Sequence, residues 1–301
     1  MHESIETAAP EVQGLVHRSP RLYDINQSTW TLKDIQQQIR WLNGLSIPAV
    51  SKILKRLGVR FKRGRASIHS PDLLYNQKMA KIQHAHLLNL LDPRKFPLLY
   101  EDEKTYYLRE EIGKVWGSRG KRGARKANQA GGTTVVNRIA GCIDVQTGKV
   151  ISRQRSSFTV KEMYRFFYYV EQHYKDAERI FIVLDNWSVH FHKYVKENLA
   201  RGAKKIVLLP LPTYAPWENP MEKVWLKFKK DILLHHGFGA NRQELKEAAK
   251  QWLQDCHHDS EELLHFVGLE KKMKEYRSAF ALIQEQGQTQ ELLGMADLLT
   301  A

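Results

Sequence analysis

Ile180-Phe181-Ile182-Val183-Leu184-Asp185-Asn186-Trp187-Ser188-Val189-His190 is the stretch on which the fold turns. Five consecutive aliphatic or aromatic residues, bounded at once by an acid and an asparagine, match a short strand buried on both faces, the kind that parallel sheets carry. Downstream, Lys205 to Leu209 is a second run of the same kind. Upstream, Phe96 to Tyr100 is a third, and it ends in Glu101, Asp102 and Glu103. Between them, Thr133 to Val145 and Lys149 to Gln154 read as a hairpin turning at Gln146-Thr147-Gly148, and Lys161 to Tyr174 as an aromatic-rich helix. Strands followed by alternating helices and strands predict an α/β layer architecture. No internal repeat and no low-complexity segment interrupts it.

Three acids fall where such a fold gathers ligands. Asp102 follows the first strand, Asp185 ends the second buried run, and Glu222 lies in a helix introduced by Pro216-Trp217-Glu218-Asn219-Pro220-Met221. Strand ends of open α/β sheets are where binding sites form. If the strands ending near Asp102 and Asp185 are parallel neighbours, their carboxylates stand side by side, and a helix crossing that edge adds a third. Anions packed so closely repel one another at low dielectric, so a cation must join them. Oxygen donors without cysteine or obligatory histidine select Mg²⁺ or Mn²⁺. A pair of such ions serves to cut and join phosphodiesters. Glu101 and Glu103 point to the opposite face of the strand from Asp102 and become the alternatives if the register slips by one.

The N-terminal part reads differently. Residues 1–28 hold Pro10, Pro20 and scattered acids without sustained periodicity, and are expected to form an arm. From Thr29 a helical stripe of Trp30, Leu32, Ile35, Ile39 and Leu42 closes at Gly44. Ser46 is an N-cap two residues before Pro48, and Ile47, Val50, Ile53, Leu54 and Leu57 form the apolar face of a second helix that stops at Gly58. Two helices around a short turn make a helix-turn-helix. The seventeen residues from Val50 to Ala66 hold seven cations, Lys52, Lys55, Arg56, Arg60, Lys62, Arg63 and Arg65, and no acid. Lys52, Lys55 and Arg56 project from the polar face, where a recognition helix meets the major groove, and Phe61 to Ile68 suits a basic wing. Leu73 to Leu91 reads as a linker helix ending at Asp92-Pro93.

Composition agrees. The 301 residues carry 47 Lys+Arg against 33 Asp+Glu, a net charge of +14 that favours polyanionic partners, nucleic acid first. No apolar run approaches the length of a membrane span, and no basic, then apolar leader opens the chain. Cys142 and Cys256 form neither a disulfide framework nor a metal motif, as befits a reducing cytoplasm.

The stretch from Leu184 to His190, with Leu209-Pro210-Leu211-Pro212-Thr213-Tyr214-Ala215-Pro216-Trp217-Glu218-Asn219-Pro220-Met221-Glu222-Lys223-Val224-Trp225, resembles the signature of bacterial insertion-sequence transposases of the mariner-type superfamily. The 36 positions between Asp185 and Glu222 (186 to 221) suit that signature. Ala215 and Glu218 depart from its usual Ser and Leu. The resemblance spans about two thirds of the chain, from Thr29 to Leu233. It implies a ribonuclease-H-like catalytic domain behind an N-terminal, winged-helix-like helix-turn-helix. It further implies Asp102, Asp185 and Glu222 as ligands of two Mg²⁺ or Mn²⁺ ions. The implied activity is binding of double-stranded terminal inverted repeats followed by cut-and-paste transfer into TA targets, by a homodimer or higher oligomer at the nucleoid. Relatives commonly carry two helix-turn-helix units, and only the second is evident here. The expected division is an arm at 1–28, the DNA-binding domain and linker helix at 29–92, the catalytic domain at 93–255 and a helical C-terminal region at 256–301. Two other functions compete: a non-catalytic DNA-binding regulator or inactive domesticated relative, and a ribonuclease-H-type nuclease.

Several further residues are candidates. Asn186 and His190 are expected to orient ligands, with His190 and His192 kept outside the metal set because an i, i+2 pair suits neither one helix face nor a tetrahedral site. Lys229, on the Glu222 face of its helix, is placed to reach a scissile phosphate. Lys114, Arg119, Lys121, Arg122, Arg125 and Lys126 crowd a glycine-rich loop around Trp116 that suits a DNA clamp.

Overall fold

The structure, a computed structural model, describes residues 5–27, 29–60, 70–114, 116, 134–238, 241–294 and 299. The chain forms two compact units, 1–68 and 69–301.

In the first unit, helices α1 (Ile5–Val16), α2 (Leu32–Gln38) and α3 (Ile47–Arg56) share one core. Thr31 and Asp34 form a capping box on α2, and Ser46 accepts the Ala49 N–H at the start of α3. Gly44 and Gly58 take the left-handed conformation at the two helix ends, as their positions in the sequence predict. Val50 and Leu54 are buried while Lys52, Lys55, Arg56 and Arg60 are exposed. The segment expected to be a plain arm contains α1, whose Ala8, Val12 and Leu15, spaced by three or four, complete the core. Lys62, Arg63, Arg65 and the expected wing lie outside the described residues.

The second unit is built on a five-stranded sheet ordered β3-β2-β1-β4-β5. Strands β1 (Leu98–Tyr107), β2 (Val135–Asp144) and β3 (Val150–Arg155) are antiparallel, and β4 (Ile180–Leu184) and β5 (Ile206–Pro210) run parallel to β1. Alternation along each strand feeds two cores. Leu98, Tyr100, Phe181 and Val183 face a layer of α4 (Tyr75–Leu91), α7 (Met221–Phe228), α8 (Arg242–Asp255), α9 (Glu261–Val267) and α10 (Leu269–Glu285). Leu99, Ile180, Ile182 and Leu184 face α5 (Val160–Glu171) and α6 (Lys193–Gly202). A last short helix, α11, spans Thr289–Gly294.

Two expectations change. β1 does not stop at Tyr100 but continues through the acids to Tyr107, because β2 pairs with it along the whole way from Leu99 to Tyr107. The division at 92/93 is replaced by one at 68/69: Ile82, Ala85 and Leu88 bury α4 in the sheet core, so the linker helix belongs to the second unit. The helices beyond 256 pack in that same core through Leu263, Val267, Leu269, Met273 and Phe280.

His86 of α4 pins this layer. Its Nε2 lies 2.9 Å from the Tyr100 hydroxyl, and its ring stacks on Tyr276 of α10 at 4.1 Å. Burial, with Lys272 adding to it, pulls the imidazole down to about 3. The unfolded chain, with a His near 6.5, binds the extra proton between those values, so the native state loses stability as pH falls from about 6.5 toward 3. Urea midpoints recorded from pH 7 to pH 5 should therefore decline, and His86→Phe should flatten the decline.

Candidate active site

β1 and β4 are in register from Leu98↔Phe181 to Tyr100↔Val183, and two residues further on come Asp102, still within β1, and Asp185, just past the end of β4. On the other side of β1, Asp102 pairs with Gly141 of β2. Gly141 is where α7 lands: a Cβ there would come 3.0 Å from Trp225 and 3.1 Å from Met221. The helix is also latched to β1 directly. The buried Asn219 donates from Nδ2 to the carbonyl of Glu101 (2.8 Å), while its Oδ1 accepts the Met221 N–H (3.1 Å) at the start of α7. The residue after Met221 is Glu222. A glycine that admits the helix and an amide that ties it down thus bring the third acid to Asp102. Gly141→Val should lift α7, cost about 1–3 kcal/mol in urea unfolding, and depress any activity that needs Glu222.

The electrostatics match this convergence. Asp102 is pushed up to about 8, first by burial, then by Glu222, Glu103 and Asp185. Neither Asp102 nor Glu222 has a cationic partner among the described residues. The opposite face of β1 solves the same problem internally. Glu101 and Glu103 point there, toward His190, whose Nε2 lies 2.8 Å from Glu103 and 3.5 Å from Glu101 and whose Nδ1 lies 3.4 Å from Asp185. Burial alone would pull His190 down, but Glu101 and the hydrogen bonds to Asp185 and Glu103 push it up to about 11. Burial pushes Asp185 up as well, and the bonds from His190 and the Trp187 N–H (2.8 Å) outweigh this and hold it low. Glu101, fully buried beside Glu103, is driven well up.

Glu101, Glu103 and His190 bring three ligand-type atoms within 4.8 Å of one another. The imidazolium already occupies the middle of that cluster, whereas Asp102 and Glu222 have no cationic partner among the described residues and form, with Asp185, a set of hard oxygen donors. The latter set fits Mg²⁺ or Mn²⁺.

The remaining candidates fall elsewhere. Lys229 lies in the turn after α7 and pairs with Glu111 at 2.8 Å, so its ammonium is engaged away from the carboxylates. Asn186 donates to the Leu211 carbonyl (2.7 Å) and accepts from Lys78 (3.3 Å), which fastens the β4 and β5 loops together. His192 caps α6 by accepting the Tyr194 N–H. Arg119, Lys121, Arg122, Arg125 and Lys126 lie outside the described residues. Asn219 and Gly141 carry the assembly yet were not singled out from sequence; an Asn before a Pro-led helix start was the available signal for the first, and nothing marked the second.

The five-stranded sheet, with three strands antiparallel and two parallel to β1, has the strand order of a ribonuclease-H-like fold. Residues 97–246 match the family described as DDE superfamily endonuclease. The chain is 26% identical over 237 residues to an insertion element IS630 uncharacterized 39 kDa protein of Shigella sonnei, covering 77% of this chain and 66% of that protein, just under two thirds. Its fold is similar to that of Mos1 transposase in a paired-end complex with the left transposon end (TM-score 0.60, 16% identity, 91% of this chain and 77% of that one). It is equally similar to a Mos1 mariner paired-end complex with Mn (TM-score 0.60, 17% identity, 90% and 78%). The matched 97–246 region is similar to the DDE superfamily endonucleases, and the resemblance to mariner-type insertion-sequence transposases is borne out.

Proposed function

We propose that the chain binds the terminal inverted repeats of its element and moves the element by cut-and-paste into TA targets, with Asp102, Asp185 and Glu222 holding two Mg²⁺ or Mn²⁺ ions. The observation that carries this reading is the meeting of three carboxylates, Asp102 on β1, Asp185 just past the neighbouring parallel strand and Glu222 on a latched helix, of which Asp102 and Glu222 have no cationic partner among the described residues. Divalent ions held there would lower the pKa of an attacking water or 3′-hydroxyl and stabilise the leaving oxygen. The chain's own part is to hold the ligands: His190 and the Trp187 N–H fix Asp185, Asn219 fixes the Glu222 helix, and Asn186 fixes the loop beyond Asp185. Water would attack a phosphodiester at the element end and displace its 3′-oxygen as a free hydroxyl; that hydroxyl would then attack a target phosphodiester and displace the target's 3′-oxygen, with no covalent protein intermediate. The Mos1 structures, described as paired-end complexes with a transposon end, support a DNA partner, on which the chain acts as a homodimer or higher oligomer at the nucleoid in this reading.

Residues 29–60 form the DNA-reading part, in which α3 acts as the recognition helix of a helix-turn-helix. Its exposed Lys52, Lys55 and Arg56, with Arg60 beyond, face no acid among the described residues. The basic positions Lys62, Arg63, Arg65, Arg119, Lys121 and Arg122 extend the interface, and the Glu111-paired Lys229 joins only by exchanging partners. The test is Mg²⁺-dependent nicking of a plasmid carrying the element, run beside an EDTA control. Nicking independent of divalent ions would overturn the reading. Replacing Lys52, Lys55 and Arg56 together by Ala should weaken end binding and flatten its salt dependence by about 0.9 in log–log slope for each phosphate that is no longer neutralised.

A further inference from the structure

The loop between β5 and α7 carries a feature that the carboxylate chemistry does not use. Thr213 is fixed on both sides: its N–H donates to Asp72 (2.8 Å) and its carbonyl accepts the Ser70 hydroxyl (2.6 Å). The next residue, Tyr214, is thereby held at φ +56, a left-handed conformation that a bulky side chain adopts only where the surroundings over-determine it. Its ring is thrown outward, 73% exposed, and makes no hydrogen bond or ring contact among the described residues. Trp217, three residues on, is 47% exposed. Trp187, 37% exposed, follows Asp185 by two residues and is braced edge-on against His190 at 5.3 Å.

All three rings belong to the edge that presents the acids. Asn186 joins the start of the Tyr214 loop to the residue after Asp185, and Asn219 joins its end to the residue before Asp102. Trp187 is braced edge-on, while Tyr214 has no hydrogen-bond or ring partner among the described residues. Large exposed rings beside a site for phosphodiesters are what sequence-tolerant base stacking uses, because every base has a π-face. Where bases beside the phosphodiester are unpaired, stacking on such rings offsets the cost of unpairing.

We propose that Tyr214, Trp217 and Trp187 form a stacking rim that receives unpaired DNA bases next to the phosphodiester held at Asp102, Asp185 and Glu222. The proposal rests on the DNA-cleaving reading above for the position of the phosphate. Tyr214 supplies the free face, and its strained backbone is the means by which the loop presents it.

The test compares two probes on the full chain in EDTA: a DNA hairpin with a short single-stranded 3′ overhang carrying 2-aminopurine, and the same hairpin blunt-ended. The wild type should bind the overhang more tightly and quench its fluorescence. Tyr214→Gly removes the ring and relieves the backbone, so its melting temperature should hold or rise, while overhang affinity falls about tenfold and the quench disappears. Blunt-hairpin affinity should not change. Tyr214→Phe should keep both affinity and quench, and Trp217→Ala should lose part of each. Equal overhang affinity and quench in Tyr214→Gly would overturn the proposal. So would a loss of self-association in that variant with overhang binding intact, which would make the rim a contact between copies of the chain. Wild-type plasmid nicking in Mg²⁺ is scored separately: its absence counts against the cleavage reading, whereas an unchanged quench beside normal nicking counts against the rim alone.

Discussion

Asp102→Asn is expected to abolish divalent-ion-dependent strand cleavage, by about four orders of magnitude or more, and at the same time to leave the metal-free protein more stable than the wild type. Both effects have one origin. The Asp102 carboxylate is buried against Glu222, Glu103 and Asp185 with no cationic partner among the described residues, so the side chain that the proposed ions would need is one the metal-free fold holds at a cost. The asparagine keeps the shape, removes the repulsion and removes the ligand. Two measurements check this. Thermal melts in EDTA should show a higher midpoint for Asp102→Asn. Added Mn²⁺ should raise the wild-type midpoint, because a ligand that binds only the native state stabilises it, and should leave the variant almost unmoved. Nicking at the wild-type rate by Asp102→Asn would remove the residue from the site.

His190→Leu should act through stability. The imidazolium sits between Glu103 at 2.8 Å and Asp185 at 3.4 Å, with Glu101 at 3.5 Å, and is itself fully buried. Removing it leaves buried carboxylates uncompensated, which costs about 3–5 kcal/mol where one partner of a buried pair is deleted. Urea unfolding at pH 7 reads the destabilisation directly. Glu103→Gln in the His190→Leu background should return part of it, since the remaining partner is then neutral. Strictly additive costs for the two substitutions would show that the pair does not interact.

The parts of this molecule that were legible in the sequence are those governed by local rules. The β2–β3 hairpin turns at Gly148, which adopts φ +72 as a tight turn requires. The five residues before Asp185 are buried throughout, as an uninterrupted apolar run predicts. Ser46, Pro48 and Gly58 bound α3 where the capping rules place its ends. Long-range pairing was out of reach. β1 extends past its apolar segment because β2 supplies the hydrogen bonds, and no pattern in Glu101-Asp102-Glu103-Lys104 announces a strand. The linker helix changed units for a similar reason: its apolar positions mark a buried face without naming what buries it.

The candidate site divides in the same way. Asp102, Asp185 and Glu222 could be selected from strand ends and motif spacing, but the supports that align them could not. His190 meets Glu103 across 87 residues of chain, and Asn219 meets Glu101 across 118. Lys229 was placed by helix geometry alone, which carries no information about Glu111, its partner 118 residues away.

One strand of this sheet thus shows two electrostatic temperaments back to back. On the α5 side, the acids are settled for good by a resident imidazolium; on the α7 side, they are kept in want of guests. In the proposed reading, any divalent ions would dock on a strand that His190 already braces from behind.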